Sequence, residues 1–270
     1  MTATIIAVPS TAGYHDGRVQ IGHAATTGQP VDYTARTERR ACNGLILGGT
    51  GSGTTTLARH IADTLRATDA WLVRHADAAG RGRGDELDLL TEAERRAARP
   101  GRRREPLHLL IWDGLARLAT DPALRAAHFV ERVTSLARYG PEYGVAQLVI
   151  ADPGWLRADV DPGGRLREVL SDNVIALRTR CAEYQLGGYP IAPTRLPRQR
   201  GHALVLIPED RVTDASTDPR PGCDLVHTHL DLGRHRSDCP PCSTSAGAPL
   251  GDTAAPDPAG TLHLRDGATQ

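Results

Sequence analysis

The sequence contains no lysine: all 32 of its Lys and Arg residues are arginine. Any fixed side-chain cation is therefore an arginine. The same bias, with abundant Ala, Gly and Pro, points to a GC-rich coding genome. Aromatic residues occupy only 4% of the 270 positions, so a core has to rest on Leu, Val, Ile and Ala. The 40% hydrophobic content suffices for one large α/β domain with a tail. Formal net charge is zero, which excludes polyanion binding by bulk charge and leaves only local patches for such a role. No stretch approaches the ~20 apolar residues that span a bilayer. Residues 1–10 lack a basic region followed by a long apolar run, the mark of a secretory signal. These absences predict a cytoplasmic protein without membrane insertion. In that compartment the five cysteines suit a metal site better than a disulfide framework.

The apolar pattern reads as strands alternating with helices. Residues 4–8 are a short β-like run, and 19–22 with 30–33 flank Thr27-Gly28 as a hairpin. Residues 43–48 form a buried-type strand. Residues 55–67 follow as a helix, with Leu57, Ile61 and Leu65 on one face. Strands at 71–75, 107–112, 145–150, 174–179 and 203–207 alternate with helices at 85–98, 122–139 and 164–170. This order predicts an α/β fold, a mostly parallel sheet with helices on both faces. Three regions are expected: a P-loop domain over 1–210, a Cys/His segment over 211–242 and a disordered tail over 243–270.

The strand at 43–48 runs into Gly48-Gly49-Thr50-Gly51-Ser52-Gly53-Thr54-Thr55, a phosphate-binding loop of the Walker A type. A loop that turns backbone N–H groups onto phosphate needs dihedrals that glycine adopts readily. The helix that follows points its positive dipole end at the anion. Thr55 takes the Ser/Thr position that holds Mg²⁺. Thr54 stands where the pattern has lysine, and it is too short and uncharged to reach the β- and γ-phosphates. The strand 107–112 ends at Asp113, the Walker B position, a candidate catalytic residue and a candidate ligand of Mg²⁺. The glutamate that often follows, polarising the attacking water, is here Gly114.

Taken in order, these segments resemble the FtsK/SpoIIIE family of DNA-translocating ATPases, including the transfer proteins of actinobacterial plasmids. Val19-Gln20-Ile21-Gly22 and Thr27-Gly28-Gln29-Pro30-Val31 are similar to that family's lead-in, and residues 43–53 to its strand and loop. Residues 109–118, 145–151, 172–178 and 201–204 are similar to its later strands. The resemblance covers about residues 19–208 and implies a RecA-like fold, ATP and Mg²⁺ binding, a homo-oligomeric ring and double-stranded DNA as a partner. Three positions depart from the family: Thr54 for Lys, Gly114 for Glu, and Asp152-Pro153 for the Thr-Gln that senses the γ-phosphate. The reading is a degenerate member, a pseudo-ATPase that binds nucleotide weakly and serves as scaffold or regulatory partner beside an FtsK-like or transfer-machinery protein. An active translocase would need an arginine in place of the lysine, with Arg74 and Arg138 as candidates. Residues 102–104, all arginine, offer contacts to DNA phosphates.

Near the C-terminus, Cys223, His227, His229, His235, Cys239 and Cys242 fall within 20 residues. Cys239-Pro240-Pro241-Cys242 has the spacing of half a tetrahedral zinc site, and Cys223 with His229 or His227 would complete a Zn²⁺ site. A non-nucleotide adaptor acting through this tail is the third reading. Cys42 and Cys181 read as core thiols.

Overall fold

A computed structural model describes residues 14–24, 29–77, 85–99, 105–152, 164–179, 184–186, 189–191, 202–206 and 223–228. The expected run at 4–8, the arginines at 102–104, Pro153, Cys181, His229, His235, Cys239, Cys242 and the tail lie outside these residues.

The strands are β1 (Tyr14–His15), β2 (Arg18–Ala24), β3 (Pro30–Thr34), β4 (Gly44–Leu47), β5 (Trp71–Asp77), β6 (Leu107–Asp113), β7 (Val145–Ala151), β8 (Val174–Leu177), β9 (Tyr184–Leu186), β10 (Tyr189–Ile191), β11 (His202–Leu206) and β12 (Cys223–Thr228). The helices are α1 (Thr54–Arg66), α2 (Asp85–Ala97), α3 (Leu115–Thr120), α4 (Pro122–Ala126), α5 (Phe129–Tyr139) and α6 (Arg165–Val169). A ten-stranded sheet runs in the order β1-β2-β12-β11-β8-β4-β7-β6-β5, with β3 also on β2. Strands β8, β4, β7, β6 and β5 are mutually parallel. Strands β11, β12, β2, β3 and β1 extend the sheet in antiparallel fashion beyond β8, and β9 pairs with β10 in a separate two-stranded sheet. The hairpin expected around Thr27-Gly28 is the β2–β3 pair. Cys223–Thr228 enters the sheet as β12, between β11 and β2.

Strand alternation divides the core into two layers. Leu109 and Ile111 of β6, Leu148 and Ile150 of β7 and Ile46 of β4 share one face with Leu57, Ile61 and Leu65 of α1. Leu110 and Trp112, Val149, and Leu45 and Leu47 share the other with α2, α3, α5 and α6. The spacing of Leu57, Ile61 and Leu65 keeps all three fully buried, each contributing about 1.5–3 kcal/mol. Helix formation over 122–139 is interrupted at His128, whose φ of 51° breaks α4 from α5. Trp112 meets Phe129 edge-to-face at 5.2 Å in this second layer.

Buried polar side chains join the sheet to its surroundings. Asn43 Nδ2 donates to the carbonyls of Ala137 (2.7 Å) and Val169 (3.0 Å), and its Oδ1 accepts from the Gln147 N–H at 3.0 Å. Gln147 in turn donates to the Val133 carbonyl and accepts from Trp112 Nε1 at 2.7 Å. Asn173 bonds both backbone groups of Thr34 and the Asn43 carbonyl. Each of these bonds satisfies a group that burial would otherwise leave unpaired.

Candidate phosphate-binding site

Walker-type chemistry needs three things in one place: a backbone cradle, a helix N-terminus, and a carboxylate beyond a neighbouring strand. The parallel strand order supplies them. From β4 the chain leaves toward the β5 edge and later returns to β8 on the opposite flank, so the C-terminal end of β4 is a switch point of the sheet. Residues 48–53 occupy that end and lead directly into α1.

The glycines of the loop are used for geometry. Gly51 and Gly53 take left-handed φ values of 77° and 103°, and Gly53 caps α1. At Gly48 a β-carbon would come within 2.4 Å of Ser52 Oγ and 2.6 Å of Thr54 Cγ2. The side chains of Ser52 and Thr54 thus fold back over Gly48. The loop is anchored from both sides: Gly48 N–H donates to the Ala151 carbonyl and Gly49 N–H to that of Arg178. The N–H groups of Thr54, Thr55 and Thr56 open α1 and have no intrahelical acceptor. Ser52 Oγ is buried without a hydrogen-bond partner. An orphaned hydroxyl inside a loop of first-turn N–H donors fits an anionic group, so the donor set suits phosphate.

Asp113 belongs to the same site. It continues the alternation of Leu109 and Ile111 and so faces α1. Thr55 Oγ1 donates to Asp113 Oδ2 at 3.0 Å. A hydroxyl and a carboxylate beside a phosphate cradle are the donor types that Mg²⁺ accepts, and these two residues would hold it there. When bound, Mg²⁺ would screen the charge of a nucleotide's phosphates.

The structure adds a residue that the sequence reading passed over. His75 of β5 lies on the α1 face, and its Nε2 stands 3.8 Å from Asp113 Oδ2. The signal was available in the alternation of β5: Trp71 and Val73 are buried against α1, and His75 is next on that face. By the same alternation Arg74 lies on the opposite face. There it helps, after burial and together with Arg96, to push the His108 imidazole down to about 4. Arg138 is exposed in the last turn of α5, and that helix end precedes the N-terminal end of β7, away from the phosphate loop. Neither arginine stands where the lysine would.

Gly114 has a backbone reason to be glycine. It takes φ 79°, ψ 45° at the start of α3, with its N–H bonded to the Ile150 carbonyl at 3.0 Å. Asp152 is exposed at the end of β7. Of the metal-ligand candidates near the C-terminus, Cys223 begins β12; His229, Cys239 and Cys242 lie outside the described residues. Among the described residues no group of three or more His, Cys, Asp and Glu is placed to hold a metal, so the expected zinc site gains no support.

No family model matches the sequence, and no curated protein matches it. Solved structures do resemble the fold. EccC ATPases 2 and 3 of Thermomonospora curvata, in complex with a signal sequence peptide, align with a TM-score of 0.57 at 17% identity, covering 81% of this chain and 41% of that one. The cytoplasmic domain of the type VII secretion ATPase EccC of the same organism aligns at 0.52 and 18%, covering 83% and 31%. The cytoplasmic domain of EssC aligns at 0.50 and 15%, covering 81% and 44%. The chain spans less than half the length of each of these three. The RecA-like P-loop fold expected of an FtsK/SpoIIIE-like ATPase domain is the fold found. Among the described residues no helix is long and apolar enough to cross a membrane.

Proposed function

We propose that this chain is a P-loop protein of the FtsK/SpoIIIE type that binds ATP weakly with Mg²⁺ and does not turn it over. Its role is that of scaffold or regulatory subunit in a macromolecule-transfer assembly. One observation carries the reading: the cradle and the Thr55–Asp113 pair are built, while Thr54 and Gly114 occupy the positions of the charge and of the base. Loss of the lysine removes a charge-assisted contact worth about 1.5–3 kcal/mol. Transition-state stabilisation suffers more than ground-state binding, because charge on the transferred phosphoryl group develops only along the reaction. Weak binding without turnover follows.

The type VII secretion ATPases of similar fold, one of them in complex with a signal sequence peptide, support a place beside a secretion or transfer motor with a secreted peptide as cargo, while the FtsK/SpoIIIE resemblance supports a homo-oligomer and double-stranded DNA as a partner. The test is ATP affinity measured calorimetrically with Mg²⁺ and with EDTA, in the unaltered protein and in Asp113→Ala. The reading expects Mg²⁺ to strengthen binding in the first and to leave the second unchanged. Absence of ATP binding at millimolar concentration would abandon it in favour of the adaptor acting through its Cys/His tail.

A further inference from the structure

The imidazole of His75 is not explained by phosphate binding alone. Its Nε2 is sealed from solvent and has no hydrogen-bond partner. At 3.8 Å from Asp113 Oδ2 it is beyond hydrogen-bond length. Yet it faces the same carboxylate oxygen that receives the Thr55 hydroxyl at 3.0 Å. Hydroxyl, carboxylate and imidazole arrive from α1, β6 and β5 respectively, and all meet at one oxygen. An imidazole nitrogen left without a partner in such a place costs free energy unless something binds it.

We propose that His75 is a third ligand of the cation held by Thr55 and Asp113, and that it makes this site selective for first-row transition cations over Mg²⁺. Mg²⁺ is hard and takes oxygen donors, whereas Co²⁺ and Zn²⁺ accept imidazole readily. A site of one hydroxyl, one carboxylate and one imidazole therefore gains affinity for the second class and little for the first. The inference rests on the reading that Thr55 and Asp113 hold a divalent cation, but not on nucleotide being bound.

Co²⁺ is the probe, because its visible absorption reports nitrogen ligation directly. The full chain carries Cys239→Ser and Cys242→Ser, so that no tail thiolate from that pair contributes. Titrations are run with and without ATP, and bound Co²⁺ is displaced with Mg²⁺. With His75 present, displacement should need at least tenfold more Mg²⁺ than in His75→Gln, and the visible bands should weaken and shift in that variant. His75→Asn, made independently, should repeat the change. Equal displacement and identical spectra with and without His75 would overturn the proposal, as would absence of saturable Co²⁺ binding under either condition. A His75-dependent Co²⁺ signal in a protein that fails to bind ATP would uphold the cation site while ending the nucleotide reading. The two claims therefore fail separately.

Discussion

Replacing Thr54 with lysine should tighten ATP binding by about 10- to 150-fold without restoring hydrolysis, the range that a charge-assisted contact of about 1.5–3 kcal/mol gives at about 1.36 kcal/mol per decade. Thr54 is the first residue of α1, and its Cγ2 lies back against Gly48. A lysine there has the reach to pass the loop and meet the outer phosphates. If the unaltered site binds with Kd of roughly 0.1–1 mM, or about 4–5.5 kcal/mol, the variant should bind with a Kd of about 1–100 µM. The free variant should be slightly less stable, because a cation at a helix N-terminus opposes the dipole by about 0.3–1 kcal/mol. Isothermal titration reads the affinity, and a coupled phosphate assay reads turnover. Unchanged affinity would mean that position 54 does not face phosphate. Phosphate release restored by this single change would show that the position of Gly114 was never limiting.

Three further outcomes follow from the geometry. Asn43→Ala leaves two carbonyls and one N–H unpaired in the core and should cost about 3–5 kcal/mol in denaturant unfolding, with nucleotide affinity of the folded fraction little changed. Gly114→Ala forces a side chain into left-handed φ and should cost about 1–2 kcal/mol, read as a lowered melting temperature. His108, with its pKa lowered from 6.5 to about 4 mainly by burial and then by Arg96 and Arg74, makes the unfolded state bind the proton first. Stability is then fully present above pH 6.5 and is lost as pH falls toward 4, by on the order of 2–3 kcal/mol. His108→Leu should flatten that part of the stability profile, and an unchanged slope would assign the acid sensitivity elsewhere.

The phosphate loop was legible because its chemistry is local: strand, glycines and helix follow one another in 20 or so residues, and β4 and α1 form where the pattern puts them. Asp113 was legible from an apolar strand ending in a carboxylate, and the structure brings it to Thr55 across a separation of 58 positions. His75 was not. In the sequence Arg74 stands out as a candidate cation, whereas His75 beside it belongs to no motif. Period-two alternation puts them on opposite faces, and it is the burial of Trp71 and Val73 that decides which one meets Asp113. The six-residue α3 carries too few turns to show periodicity. The buried amides Asn43, Gln147 and Asn173 have no sequence signature, since the bonds that justify them come from residues up to 139 positions away. Strand β12 was hidden by the Pro- and Asp-rich composition around it, and only pairing with β11 and β2 makes it a strand.

The proposed site binds ATP without turning it over. The most direct measurement is ATP binding and phosphate release on the same preparation, at saturating ATP and Mg²⁺, with and without double-stranded DNA. Saturable binding is expected, with phosphate release indistinguishable from the protein-free control in both conditions. Release that DNA accelerates and Asp113→Ala abolishes would contradict this expectation.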